Sequence, residues 1–295
     1  MTALALIAQP QIVPHLSLVS DVSGAETDAQ LVDLWLHGRS KHTARAYAAD
    51  AARFRAFVGA RPLSRVTIRD LQSFSDSLAG ATRARATTTV KSLLSYGQRI
   101  GYLTFNVGAA LKQPKREDKL AQRILSEADV QRMLALETDP RNRALLRLLY
   151  AAGLRVSEIC GLSVHDLQAR EDGGQVTVFG KGSKTRSVRL PASIWSDLVT
   201  LTTGAAIDAP VFRSHKGGHL DASAVHRIVR KAARRAGIAS NVSPHWLRHS
   251  HATHALDRGC PIHELQQTLG HSSLAVTSRY THARPDHSSA MYLAV

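Results

Sequence analysis

The 295-residue sequence predicts a mainly α, two-domain fold: a helical N-terminal domain, then a larger α+β domain in which helices surround a small β-hairpin sheet. Three observations carry this. Apolar residues recur at helical spacing, behind Ser, Thr or Asp caps and ahead of glycine stops. One segment, QVTVFGKGSKTRSVRLP (175–191), breaks that period with two β-rich runs around a Gly-Lys-Gly-Ser turn. A third, LKQPKREDKLAQRI (111–124), has a proline, mixed charge and no apolar period, and separates the halves. The expected layout is a leader over 1–25, a helical domain over 26–112, a linker over 113–122 and a second domain over 123–295.

The elements follow in order. MTALALIAQPQIV is apolar but has no basic start and is interrupted by Pro10, so it reads as neither a signal peptide nor a bilayer span. The leader is expected to be flexible or to touch a partner. SKHTARAYAADAARFRAFVGA is a helix with Thr43 as N-cap, an apolar face of Ala44, Tyr47, Ala51, Phe54 and Phe57, and a stop at Gly59. VTIRDLQSFSDSLAG places Thr67 and Asp70 in capping-box spacing, with Gly80 as the stop. ATTTVKSLLSYGQRIGYL offers Val90, Leu93, Leu94 and Ile100 to a core. In the second domain Ser126 caps LSEADVQRMLAL, and Gly153 closes RNRALLRLLYAAG. After the hairpin, helices return in DASAVHRIVRKAARRAGI, HWLRHSHATHALDRG and PIHELQQTLG.

Charge narrows the function. The chain has 38 Lys+Arg against 23 Asp+Glu, a net +15. Residues 31–120 hold 16 basic and 6 acidic residues, and residues 121–295 hold 22 and 14. A basic excess in both domains fits a duplex-sized polyanion gripped by the pair. Solubility charge or an acidic protein partner is the plainer alternative. Cys160 and Cys260, the two cysteines, offer neither a disulfide framework nor zinc spacing and point to a reducing, cytoplasmic setting.

Five short segments of the second domain carry polar residues that a core-building pattern does not require. AAGLRVSEI places Arg155 after a helix-ending glycine, with Glu158 three residues on. FGKGSKTR places Lys181 at the hairpin turn. SPHWLRHS sets His245 and Arg248 three apart on one helix face. LGHSS puts His271 after a glycine corner, and TSRYTH supplies Tyr280. Arginines, lysine and histidines are donors matched to phosphate oxygens, and a phosphoryl transition state needs that charge stabilisation. Tyrosine can bond covalently to the reacting centre, given a base or clustered positive charge to activate it. Lysine can protonate a leaving oxygen. The inventory describes transesterification of a phosphodiester through a phosphotyrosine, with no metal or other cofactor required.

Taken singly these residues have plainer readings: Arg155 as a helix-end ion-pair partner of Glu158, Lys181 as hairpin solubility charge. A nucleotide-binding loop fails, because position 175 is Gln and Gly182 follows the lysine. A zinc site on His245, His249, His251 and His254 lacks an accompanying Glu or Cys.

In AAGLRVSEICGL, VFGKGSKTRSVRLP, SPHWLRHSHATHAL and LQQTLGHSSLAVTSRYTH the sequence resembles the tyrosine recombinases, the phage-integrase or Xer-like site-specific recombinases, over about residues 30–290. The resemblance implies a SAM-like helical core-binding domain and a catalytic domain of the DNA breaking-rejoining enzyme type, clamped around double-stranded DNA. Arg155 and Arg248 would hold the scissile phosphate, Lys181 would protonate the 5′-oxygen, and His245 and His271 would assist proton transfer. Tyr280 would be the nucleophile that forms a 3′-phosphotyrosyl link, and Glu158 would orient an arginine. Arg45, Arg83, Arg85, Lys91, Lys184, Arg186, Arg227, Arg230, Lys231, Arg234 and Arg235 are the candidate DNA contacts, while His249, His251, His254 and His282 read as structural or DNA-facing. Partners would be two recombination sites and a homotetramer or a heterotetramer with a related recombinase, in the cytoplasm and away from membranes. The C-terminal tail would dock on a neighbouring protomer or, through Met291, Tyr292 and Leu293, fold back on its own chain. The implied role is chromosome or plasmid dimer resolution, or mobile-element integration. The alternatives are a type IB-like topoisomerase and a non-cutting DNA-binding accessory protein.

Overall fold

The computed structural model describes residues 24–114, 120–180, 185–239, 241–270 and 277–280. Most of the leader, Lys181, Lys184, His271, His282 and the C-terminal tail therefore lie outside the described residues. The chain divides into two units, Met1–Glu117 and Asp118–Val295, each with its own apolar core.

Among the described residues the first unit contains four α-helices: α1 (Asp28–Leu36), α2 (Lys41–Val58), α3 (Ile68–Asp76) and α4 (Gly80–Arg99). Helix α1, absent from the pattern reading, starts at a capping box between Thr27 and Gln30. Its Asp28 is buried and accepts from the Leu63 backbone N–H at 3.0 Å and the Tyr102 hydroxyl at 2.8 Å. Two expected boundaries move. Ser40, not Thr43, caps α2, because its hydroxyl accepts from the Thr43 N–H in the first turn. Gly80 opens α4 instead of closing α3. The Thr67–Asp70 capping box forms as expected. Phe54, Leu71, Phe74, Val90, Leu93 and Leu94 fill the core, whereas Phe57 is exposed and meets only the edge of Phe74 among the described ring contacts.

The second unit contains α5 (Glu127–Ala135), α6 (Pro140–Ala151), α7 (Val156–Gly161), β1 (Leu167–Arg170), β2 (Gly173–Phe179), β3 (Thr185–Pro191), α8 (Ala192–Thr202), α9 (Ala222–Arg235), α10 (Pro244–Asp257) and α11 (Ile262–Leu269). The strands form an antiparallel sheet in the order β1-β2-β3, with Val176 opposite both Leu167 and Val188. The expected hairpin is thus the larger part of a three-stranded sheet. Strand β1 is only four residues long and half-exposed, too short for a period-2 signal. Helix α8 lies against the sheet, with Trp195 so close to Gly174 that an added Cβ would sit 2.0 Å from the indole. Leu145, Leu146, Leu148 and Leu149 of α6 are buried in a core that also holds Val176, Val188, Val229 and Leu247.

Helix α9 buries a stripe of Val225, Val229, Ala232 and Ala233 and exposes Arg227, Arg230, Lys231 and Arg234. Arg235, expected as a DNA contact, has its guanidinium tied to buried Glu137. It sits beside the apolar stripe, where an arginine head needs a carboxylate partner. No helix among the described residues is long and apolar enough to cross a membrane.

Candidate active site

Helix α10 begins at Ser243 with Pro244 in its first turn, where the missing N–H costs nothing. Leu247 and Ser250 pack inward; the Ser250 hydroxyl accepts from the Leu125 N–H at 2.8 Å. Trp246 packs partly buried against the same core. This orientation drives Arg248 into the protein, where it is 5% exposed. The guanidinium donates to the carbonyl of Leu269 at 2.6 Å and to that of Gly153. Burial and the positive charge of Arg155 lower its pKa to about 10, so it stays charged at neutral pH.

Gly153 is needed in that place. It has φ +56°, and a Cβ would lie 2.7 Å from Leu269 Cδ2 and 2.9 Å from His251 Cδ2. Only glycine takes the turn and lets the carbonyl reach Arg248.

Arg155 is the residue before α7, and Glu158 sits in that helix's first turn. Glu158 accepts from the Arg155 backbone N–H at 2.7 Å and from Arg155 Nη1 at 2.8 Å. From strand β3, Arg186 adds a two-pronged contact, Nη1 to Oε1 at 2.7 Å and Nη2 to Oε2 at 2.9 Å. Burial alone would raise the Glu158 pKa, but the hydrogen bonds from Arg186 and the Arg155 backbone outweigh it and hold the carboxyl at about 2. Arg186 was expected to touch DNA. It points inward instead, its side chain 12% exposed, and also donates through Nε to the Thr268 carbonyl at 2.7 Å. Glu158 thus orients two arginines.

The C-terminal end of α11 ties these pieces together. Three consecutive carbonyls there each take one arginine: Thr268 takes Arg186, Leu269 takes Arg248, and Gly270 takes Arg155 at 3.1 Å. A helix leaves its last carbonyls without intrahelical partners, and its negative end favours cations. Gly270 closes the helix in the left-handed conformation, φ +62°. The Leu-Gly corner ahead of His271 is therefore a docking point for arginines, a role the sequence reading did not assign. Its signal was there, in a glycine stop following an apolar helix that no lysine or arginine of its own terminates.

Tyr280 ends a single 3₁₀ turn, Ser278–Tyr280, and is 7% exposed among Ala252, Leu265 and Leu269. Its hydroxyl lies 2.8 Å from Nδ1 of His249. His249 follows Arg248 directly, and its ring stacks on that of His245 one turn earlier, centroids 6.3 Å apart. His245 is at the exposed end of this face; surrounding protein and the charges of Arg248, His226, Arg155 and Arg123 push its pKa down. Of the other histidines on this helix, His251 packs beside Gly153 and His254 lies at Tyr150. His254 Nδ1 lies 2.8 Å from the Tyr150 hydroxyl, and burial lowers the pKa of His251 to about 4, which keeps it neutral.

In the first unit Arg45 is exposed. Arg83 pairs with Asp76, Arg85 with Asp50, and the Lys91 ammonium donates to the Leu111 carbonyl. Arg83 and Arg85 keep about two fifths of their side-chain surface exposed, 40% and 41%.

Two guanidiniums on one carboxylate, a third held by two backbone carbonyls, and a tyrosine hydroxyl bonded to a histidine make a site suited to attack on an anionic ester. Comparison with known proteins gives the same class. Residues 123–287 match the phage integrase family. The chain is 35% identical over 308 residues to the tyrosine recombinase XerC of Rhodospirillum centenum, covering 95% of this chain and 89% of the relative. It is 37% identical over 273 residues to the tyrosine recombinase XerC of Mycobacterium bovis, covering 83% and 89%. A solved structure of the XerH site-specific recombinase bound to its difH substrate, in a pre-cleavage complex, shares the fold with a TM-score of 0.67 at 23% identity, covering 86% of this chain and 80% of that one. The chain belongs to the phage integrase family and is a site-specific DNA recombinase of the tyrosine type.

Proposed function

We propose that the protein cuts and rejoins double-stranded DNA at two recombination sites through a 3′-phosphotyrosyl intermediate. Arg155 and Arg248 hold the non-bridging oxygens of the scissile phosphate, and Glu158 with Arg186 fixes the direction of Arg155. Tyr280 attacks phosphorus. Lys181 protonates the departing 5′-oxygen, and His245 and His271 assist proton transfer. The phosphotyrosyl link keeps the bond energy, so a 5′-hydroxyl from a second site can reverse the step without ATP or a divalent ion. Four subunits, of this chain alone or shared with a related recombinase, exchange strands in pairs through a Holliday junction in the cytoplasm. Resolution of chromosome or plasmid dimers is the role this reading favours. The observation that carries it is the gathering of Arg155 and Arg248 on adjacent carbonyls of one helix end, with the Tyr280 hydroxyl bonded to His249, the residue after Arg248.

Covalent trapping tests it. Wild-type protein and Tyr280→Phe are incubated with fragmented genomic DNA in the absence of Mg²⁺, denatured, and the DNA left on protein is sequenced. The expected result is one enriched site with wild type and none with the variant, at equal DNA binding before denaturation. Adducts scattered over many sequences would instead indicate a relaxing topoisomerase. Binding without any adduct would indicate an accessory DNA-binding protein.

A further inference from the structure

We infer that His249 is a catalytic residue, the base that takes the phenol proton of Tyr280 and returns it on religation. The inference rests on the phosphotyrosine reading above and adds a group to which that reading gives no part. His249 Nδ1 and Tyr280 Oη are 2.8 Å apart, within the range required of a general base and the proton it abstracts. Helix α10 is held on both sides of this contact. Arg248 is bound to two carbonyls, and Ser250 is bound to the Leu125 backbone. The imidazole is therefore aimed by packed neighbours on a rigid element. Tyr280 is buried in an apolar cluster with Ala252, Leu265 and Leu269.

The chemistry needs such a group. An unperturbed phenol has a pKa near 10, so only about one molecule in a thousand is ionised at pH 7. Arg248, whose charge interacts with Tyr280, cannot carry the proton away, because a charged guanidinium has no acceptor. His249 can. In the forward step Nδ1 accepts the proton as the Oη–P bond forms. The bond from phosphorus to the 5′-oxygen breaks, and that oxygen takes its proton from Lys181. In religation the 5′-hydroxyl gives its proton to Lys181 as it attacks phosphorus, the Oη–P bond breaks, and Nδ1 gives its proton back to Oη. The scheme requires the neutral ring to carry its hydrogen on Nε2. It assigns opposite ends of the displacement to His249 and Lys181.

Two readouts test this. In the free protein with ¹⁵N-labelled histidine, the Nδ1 resonance of His249 should have acceptor character and shift in Tyr280→Phe; no shift would overturn the inference. The second uses a duplex bearing the sequence recovered by trapping. His249→Ala and His249→Asn should bind it normally and keep the wild-type thermal midpoint within a few degrees. Both should cleave it roughly 100-fold more slowly, within the usual range for a lost general base. Added imidazole should restore part of the rate to His249→Ala. Replacing the bridging 5′-oxygen with sulfur, which leaves without a proton, should not rescue either variant but should rescue Lys181→Ala. If His249→Asn cleaves at close to the wild-type rate, His249 only positions Tyr280 and the base assignment fails. If wild type itself forms no adduct with any DNA, the recombinase reading fails, and the role of His249 falls with it.

Discussion

Each unit of the protein contains a buried acid ringed by arginines, and the two rings differ in purpose. In the first unit Asp50 on α2 is fully buried and accepts from Arg53 at 3.2 Å, from Arg85 at 2.5 Å and from the Thr89 hydroxyl at 3.2 Å. Its arginines reach in from the surface and remain 44% and 41% exposed. In the second unit the side chain of Glu158 is 2% exposed and holds Arg155 and Arg186, which are 31% and 12% exposed. Those arginines are also caught by the carbonyls at the end of α11. Around Asp50 the acid joins α2 to α4, and the arginine heads are left for solvent or a polyanion. Around Glu158 the acid serves the arginines, and each guanidinium has one direction. A fold staple tolerates play in its cations, whereas a site that stabilises a transition state does not.

The largest effect should separate the two rings by rate. Arg155→Ala should reduce cleavage of bound DNA about 10²–10³-fold, the size expected when a transition-state donor is lost. Arg85→Ala should leave that rate within about twofold and weaken binding instead. Single-turnover cleavage at saturating protein measures both, and equal losses would break the contrast.

A second test uses the acids. The Glu158 pKa of about 2, against an ordinary 4.5, corresponds to about 3 kcal/mol of folding stability. The depressed value means that this contribution is complete above pH 4.5 and is lost as pH falls towards 2. Glu158→Gln should therefore melt well below wild type at pH 7, and the gap should close across that window. It should also slow cleavage roughly tenfold as Arg155 loses its hold. Asp50→Asn should cost a similar roughly 3 kcal/mol, as expected for a broken buried pair, without slowing cleavage by bound enzyme. If Asp50→Asn slowed cleavage as much as Glu158→Gln, the distinction between staple and site would be lost.

The smallest effect concerns the basic helix. Arg230→Ala and Arg234→Ala should each reduce the slope of log binding constant against log salt by about one, as for one phosphate contact. Arg235→Ala should leave the slope unchanged and lower the melting temperature, because its partner is buried Glu137.

Much of this was legible from residue order. The helical periods, the Thr67–Asp70 box, the Ser126 cap and the paired β-rich runs all report on neighbours a few residues apart. Misreadings came where a local signal had two uses. Gly80 can stop a helix or start one, and Ser40 and Thr43 both make plausible caps; the path of the chain decided each. The side-chain directions of Arg186 and Arg235 were not legible, because a basic residue near an apolar stripe can turn either way until a buried carboxylate is present. Nor was His249. In the sequence it is one of four histidines on a helix, and its partner lies 31 residues away.

The sequence by itself determined the helical character, the hairpin, the break between two basic halves and the ordered set from Arg155 to Tyr280. Local backbone preference and the period of apolar residues are properties of short windows, so the chain carries them openly. Tertiary structure decided which arginines become a site. Arg155 meets Gly270 across 115 residues and Arg186 meets Thr268 across 82. Such contacts exist only once α11 has packed and its last carbonyls, unable to bond within their own helix, have found cations to satisfy them.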